Sequence, residues 1–141
     1  MILLDTDHLS VLLDERDSRR DLLGERLEAA RDDAACTIVS LEEILRGWLA
    51  AIHRRRDVLQ QITAYNRLGR LFNVMGDWNI VPFDDAAAHQ FKELRQQRIR
   101  IGTMDLKIAS ISLLHDALLL TANQIDFSQV PGLRCEDWLD H

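Results

Sequence analysis

Four acidic residues stand where strands are expected to end or helices to begin, and together they have the chemistry of a metal site. Asp5 ends the apolar run 2–4, and Glu43, Asp105 and Asp126 stand just past similar boundaries. In an open parallel sheet such positions meet in one crevice at the carboxyl ends of the strands. Like charges so close raise each other's pKa or require a cation. Oxygen ligands favour Mg2+ or Mn2+ over Zn2+, and such an ion can activate water against a phosphodiester.

Two of these acids also have an ordinary structural explanation. Asp5 alone is equally typical of a helix cap or a surface turn. Glu43 is the fourth residue of Ser40-x-x-Glu43, a capping box in which the glutamate bonds back to the first residue of the helix. Glu42 points about 100° away on the same helix and is the alternative acid. Gly47, one turn after Glu43, removes a side chain and so predicts close packing or ligand approach there.

The other two acids leave a similar choice. Asp105 in the first turn of a helix would complement the helix dipole without any further role. The helix that it starts is largely apolar, however, which aims this turn at the interior edge of the crevice. Asp126 is equally typical of a loop or a helix cap, and Asn123 could reach the site in its place. The hypothesis of a metal site therefore depends on all four acids lying at such junctions of one sheet.

The elements that must position these acids alternate along the chain. Apolar runs predict strands at 2–5, 35–39, 80–83 and 117–121, with a possible edge strand at 133–138. The first helix is predicted to follow a cap at Asp7 or Ser10, and the third to begin at Ser40. Four more helices are predicted over 22–31, 57–74, 86–98 and 104–115, the last of them capped by Thr103. A short turn or helix is predicted at 123–128. This alternation predicts a parallel sheet covered on both faces, with the two helices between 40 and 74 as a projecting hairpin.

Length, composition and charge narrow the class of protein. The 141 residues predict a single domain over 1–141. The net charge of −6 argues against a sequence-blind DNA coat, which would need a basic patch. No apolar stretch is long enough to span a membrane, and no secretory segment precedes the first strand. Cys36 and Cys135 lack metal-ligand spacing and are predicted to be reduced cytosolic thiols.

Basic and histidine side chains give weaker signals. The clusters Arg54–Arg56 and Arg95, Arg98, Arg100 are more typical of solvated helix faces than of a nucleic-acid surface. The histidines lack HxxxH or HExxH spacing, so surface or packing roles are predicted for all five, which are His8, His53, His89, His115 and His141.

Taken with their neighbours, the acids resemble the PIN-domain family, and specifically the VapC-like ribonuclease toxins of bacterial toxin–antitoxin pairs. The similarity covers nearly the whole chain in family order, and its third segment is the most specific. The segments are Leu3-Leu4-Asp5-Thr6-Asp7-His8-Leu9-Ser10, Ser40-Leu41-Glu42-Glu43-Ile44-Leu45-Arg46-Gly47-Trp48, Arg98-Ile99-Arg100-Ile101-Gly102-Thr103-Met104-Asp105-Leu106-Lys107-Ile108-Ala109, Leu119-Leu120-Thr121-Ala122-Asn123, Asp126-Phe127 and Val130-Pro131-Gly132-Leu133.

The resemblance implies a three-layer α/β/α fold with a central parallel sheet of four to five strands and a metal-dependent endoribonuclease site. Asp5 and Asp105 would be the principal Mg2+ or Mn2+ ligands and Glu43 the third site acid. Either Asp126 or Asn123 would complete the site. Possible supporting residues are Thr103, Thr121, Glu42 and Asp7, which stands where many members have Asn. The candidates for contacts with substrate are Arg46, Arg98 and Arg100.

The resemblance also implies partners and a location. A protein of this kind cleaves RNA in the cytoplasm, is inhibited by a cognate antitoxin that inserts a segment near the acidic site, and pairs as a homodimer through the helices around the hairpin.

Two other functions stay open at the level of sequence. Asp5-Thr6-Asp7 after a strand also resembles the aspartyl nucleophile motif of haloacid-dehalogenase phosphatases, although the chain is short for them and Leu9 departs from their pattern. A binding module that kept the fold and lost the activity is the other alternative.

Overall fold

The computed structural model describes residues 1–139, and His141, with its predicted surface or packing role, lies outside them. Within that range the chain forms five strands, seven α-helices and a 3-10 helix, Val58–Gln61. The strands are β1 Ile2–Leu4, β2 Ala34–Thr37, β3 Ile80–Val81, β4 Leu118–Leu120 and β5 Arg134–Glu136. The helices are α1 Thr6–Leu13, α2 Arg20–Ala30, α3 Ile38–His53, α4 Ile62–Met75, α5 Asp85–Gln96, α6 Thr103–Leu114 and α7 Gln124–Phe127.

All five strands are parallel and lie in the order β3-β2-β1-β4-β5. Leu4 pairs with Cys36 on one side and Leu120 on the other, so the residues after β1, β2 and β4 emerge together. The chain places β2 and then β3 on one side of β1, and it then places β4 and β5 on the other side. The crevice where this order reverses, beyond the ends of β1 and β4, is where ligands bind in open α/β sheets.

The side chains of the strands alternate between two apolar cores, one on each face of the sheet. Leu3 and Leu119 join α5 and α6 in one core, whereas Ile2, Leu4 and Leu120 join α1, α3 and α4 in the other. A sheet buried on both faces needs apolar residues at every position, which is why the strands are continuous apolar runs rather than alternating ones. The predicted three-layer α/β/α fold with a parallel sheet is confirmed.

The caps predicted for α1 and α3 were wrong. Helix α1 is capped by Asp5 rather than by Asp7 or Ser10. Helix α3 begins at Ile38, because the Thr37 side chain accepts a hydrogen bond from the Ser40 backbone N–H at 3.0 Å. The β-branched residues 38 and 39 therefore form the first helical turn and do not continue the strand.

The predicted helix over 57–74 is interrupted near its start. Asp57 caps the short 3-10 helix, and α4 follows from Ile62. Leu71 and Met75 of α4 join the core on the sheet, while Val58 and Leu59 at the far end of the hairpin are 70% and 72% exposed. Within residues 1–139, no helix combines the length and apolarity needed to cross a bilayer.

Candidate active site

Asp5 is the most buried acid of the site, with 5% of its surface exposed. Its Oδ1 accepts a hydrogen bond from the Thr6 backbone N–H at 2.8 Å, and its Oδ2 accepts one from the Thr121 hydroxyl at 2.7 Å. Burial raises the pKa of this carboxyl to about 7, with the charges of Asp7 and Asp105 adding to the effect and the two hydrogen bonds opposing it. The protein thus holds Asp5 in place at a cost to its ionised form.

Glu43 lies in the second turn of α3, and the predicted capping box is absent. Thr37 caps the helix, so Glu43 is too far along α3 to bond back to its start. Its Oε1 is buried and has no hydrogen-bond partner in the described chain. Burial and then the Asp105 charge raise the pKa of this half-buried carboxyl. The main structural explanation for Glu43 is therefore removed.

Asp105 stands in the first turn of α6, as predicted, and Asn123 links it to Asp126. The Asn123 Nδ2 donates to Asp105 Oδ2 at 3.2 Å and to Asp126 Oδ2 at 3.0 Å. Burial and then the Asp126 charge raise the pKa of Asp105, while the Asn123 hydrogen bond lowers it. Both alternatives for the fourth position are thus present, with the amide between the two acids.

Asp5, Glu43 and Asp105 converge on one point. One carboxylate oxygen from each residue lies within 4.8 Å of the others. The other charges that act on them are those of acids, and within residues 1–139 none of the three forms an ion pair with a basic side chain. Three such oxygens without a compensating charge fit a hard divalent cation, because their mutual repulsion is what the cation would relieve.

A network of hydrogen bonds behind Asp5 includes Asp7 and a histidine that the sequence had placed among surface or packing residues. Asp7 Oδ2 accepts from the Ala122 backbone N–H at 2.9 Å, and Asp7 Oδ1 lies 2.6 Å from His8 Nδ1. His8 is fully buried, and its Nε2 accepts from the Trp138 backbone N–H at 3.0 Å. With Nε2 accepting from Trp138, a ring proton on Nδ1 faces Asp7, and the imidazole ties α1 to the C-terminal segment.

Other predicted site residues lie outside this cluster. Glu42 pairs with Arg46 at 2.6 Å on an exposed part of α3, so neither is free to act without breaking that pair. Thr103 is an exposed first residue of α6, which is capped by Gly102 instead. Arg98 and Arg100 are exposed, and in the described chain no hydrogen bond or ion pair joins them to the acids.

Thr121 lies beside the cluster and bonds to Asp5, and Thr6, which the sequence did not single out, lies beside Glu43. The Thr121 hydroxyl donates to Asp5 and accepts from the Asn123 backbone N–H at 3.0 Å. Thr6 faces Glu43, whose pKa its hydroxyl lowers. The only sequence signal for Thr6 was its place directly after the strand-end acid.

The family model of the PIN domain matches residues 2–133. The chain belongs to the PIN-domain family. The observed sheet order and the convergence of Asp5, Glu43 and Asp105 agree with that match. Family membership leaves the phosphatase alternative without support. A comparison with curated proteins gave no significant match.

Solved structures of low sequence identity share this PIN fold over nearly their full length. VapBC-1 from nontypeable Haemophilus influenzae matches with a TM-score of 0.74 and 20% identity, covering 98% of each chain. A toxin–antitoxin complex from Klebsiella pneumoniae matches at 0.67 and 24%, covering 94% of this chain and 95% of the other. VapC20 from Mycobacterium tuberculosis, a sarcin–ricin loop cleaving toxin, matches at 0.56 and 16%, covering 91% and 93%.

Proposed function

We propose that the protein is a metal-dependent endoribonuclease and the toxin of a toxin–antitoxin pair. The observation that carries the proposal is the convergence of Asp5, Glu43 and Asp105 at the switch point of a PIN-family sheet. Toxin–antitoxin complexes and a sarcin–ricin loop cleaving toxin among the structures of the same fold support it.

Asp5 and Asp105 would be the principal ligands of Mg2+ or Mn2+, and Glu43 the third acid. The donor set is oxygen only, which suits these hard ions. A divalent cation at this point would compensate the three carboxyls, whose pKa is raised, and would give the unpartnered Oε1 of Glu43 a partner. When bound, the ion would activate water and offset negative charge on the phosphodiester.

The protein's own groups have distinct roles in this mechanism. Asp5 is fixed by the Thr6 N–H and the Thr121 hydroxyl, which prevents it from turning away. Asn123 links Asp105 and Asp126 by donating a hydrogen bond to each. Glu43 Oε1, which bonds to nothing else in the described chain, is the oxygen free to take the proton of the attacking water.

Asp105→Asn is the direct test. This change keeps the shape of the side chain and removes its charge, so we expect cleavage of total bacterial RNA in Mg2+ to fall by two orders of magnitude or more, on the order of what a lost transition-state contact costs. Gel electrophoresis of the RNA measures it, and the thermal midpoint checks the fold.

Asp85→Asn is the matched control, since Asp85 occupies the first turn of α5 but is exposed and is not among the charges that raise the pKa of the three acids. Its cleavage should equal that of the wild type. Full cleavage by the Asp105→Asn protein would overturn the proposal. If the wild type cleaves no RNA and calorimetry detects no Mg2+ or Mn2+ at millimolar concentration, the alternative of a non-catalytic PIN module is correct.

The proposal extends to organisation, partners and location. We propose a single PIN-like domain over 1–141, acting on RNA in the cytoplasm. A cognate antitoxin would place a segment near the acidic site, where a basic side chain would meet the uncompensated carboxylates.

We also propose a homodimer through the helical hairpin, because large exposed apolar patches mark interaction sites. The exposed large apolar side chains of the hairpin include Leu49, Val58, Leu59, Ile62, Tyr65, Phe72 and Val74.

A further inference from the structure

Two buried side-chain oxygens in the described chain have no hydrogen-bond partner, and both belong to the candidate active site. They are the Thr6 hydroxyl oxygen and Glu43 Oε1. The Thr6 side chain lies beside Glu43 and lowers its pKa. Neither of the two buried oxygens has a hydrogen-bond partner in the described chain. A buried polar atom without a partner in a native fold calls for an explanation such as an ion or a water.

Local structure does not explain the Thr6 hydroxyl, whereas it does explain the two neighbouring threonines. Thr37 caps α3 by accepting from Ser40. Thr121 both donates to Asp5 and accepts from Asn123. Thr6 follows the cap residue of α1, and only its backbone N–H is used, in a bond to Asp5. Its hydroxyl is thus the spare polar group beside the cluster.

We propose that Thr6 is a positioning residue of the divalent-cation site, whose hydroxyl joins Glu43 Oε1 in holding the water shell of the cation. This inference rests on the proposed metal-dependent function. Mg2+ and Mn2+ bind to proteins while keeping several of their waters, and those waters need hydrogen-bond partners. Asp5 and Asp105 supply charge, while Thr6 and Glu43 supply the adjoining oxygens that the fold leaves unpaired.

The test compares three variants of the full chain by calorimetric titration with Mn2+. Thr6→Val keeps the shape and removes the hydroxyl, and we expect its Mn2+ dissociation constant to rise about tenfold, as for other groups that support metal ligands. Thr6→Ser keeps the hydroxyl and should bind like the wild type. Thr63→Val makes the same chemical change at an exposed position of α4 and should also bind like the wild type.

Stability of the metal-free protein separates this role from a structural one. The hydroxyl makes no hydrogen bond in the metal-free fold, so Thr6→Val should not lower the thermal midpoint without metal. The rise in midpoint on adding Mn2+ should be smaller than in the wild type. Unchanged Mn2+ affinity in Thr6→Val, or a loss fully accounted for by a lower metal-free midpoint, would overturn the inference.

The inference can fail separately from the proposed function. A wild type that binds Mn2+ and cleaves RNA, beside a Thr6→Val protein of equal affinity, overturns only the role of Thr6. A wild type that binds no Mn2+ overturns both.

Discussion

Opposing effects act on the pKa of the Asp5 carboxyl. The Thr6 N–H and the Thr121 hydroxyl favour its ionised form, while burial and the nearby acids disfavour it more strongly. Its pKa therefore rises from 3.8 to about 7 in the folded chain. Such strain is common where function requires a group that the fold alone would not select.

The raised pKa of Asp5 predicts how stability depends on pH. Below its unfolded value of 3.8 the carboxyl is protonated in both states, whereas between 3.8 and about 7 only the folded protein keeps the proton. Stability from this group is therefore present at low pH and lost as pH rises through about 7. Asp5→Asn should raise the metal-free thermal midpoint more at pH 8 than at pH 5. Parallel pH profiles of the two proteins would contradict this.

Asn123 allows a second prediction at this scale. Asn123→Asp replaces a donor shared by Asp105 and Asp126 with another negative charge. We expect the metal-free protein to lose about 1–3 kcal/mol of unfolding free energy at pH 8, less at pH 5, and to recover part of it when Mn2+ is added. Urea denaturation measures the loss. Asn73→Asp, at an exposed position of α4, is the control and should change little.

At the scale of elements, the start of α3 decides what Glu43 can do. Thr37 is the cap, three residues before Ser40, which the capping-box pattern indicates as the cap. Glu43 is thereby displaced from the first turn and left with an unpaired oxygen. A capping box and a strand-end threonine compete for the same turn, and the sheet register that fixes Thr37 beside Val81 decides between them.

The prediction of close packing around Gly47, on the same helix, was wrong. An added Cβ would have no atom within 4 Å. Gly47→Ala should therefore raise the free energy of unfolding by about 0.5–1 kcal/mol, because glycine loses more backbone freedom on folding. Urea denaturation measures the gain. Ala50→Gly, at an exposed position on the same helix, should lose a similar amount; a loss of stability in Gly47→Ala would show a contact there.

At the scale of the whole molecule, the helical hairpin exposes apolar side chains that the two cores do not use. Leu59 is 72% exposed and Phe72 61%. A homodimer through this surface predicts that Leu59→Glu yields a folded monomer, with the oligomeric state measured by analytical ultracentrifugation. Ile125→Glu changes a still more exposed apolar side chain outside the hairpin and should leave the dimer intact. A monomeric wild type would refute this pairing.

The sequence by itself predicted the sheet, its parallel direction and the positions of the acids near the crevice. Continuous apolar runs are typical of strands buried on both faces, and their alternation with helices leaves few topologies. The roles of Asp5, Glu43, Asp105 and Asp126 stay predictions, but their placement at junctions of one sheet followed from local patterns that the chain carries on its own.

Only the tertiary structure decided which polar atoms meet. Several features depend on residues that are distant in sequence, among them the caps of α1 and α3, the Asn123 bridge and the burial of His8. The Thr121 hydroxyl, for example, donates a hydrogen bond to Asp5, and the Trp138 backbone N–H donates one to His8. Hydrogen bonds and desolvation act over a few ångströms in space, so no pattern of spacing reveals them. For the same reason the sequence singled out the acids and missed Thr6, whose unpaired hydroxyl is defined by its surroundings.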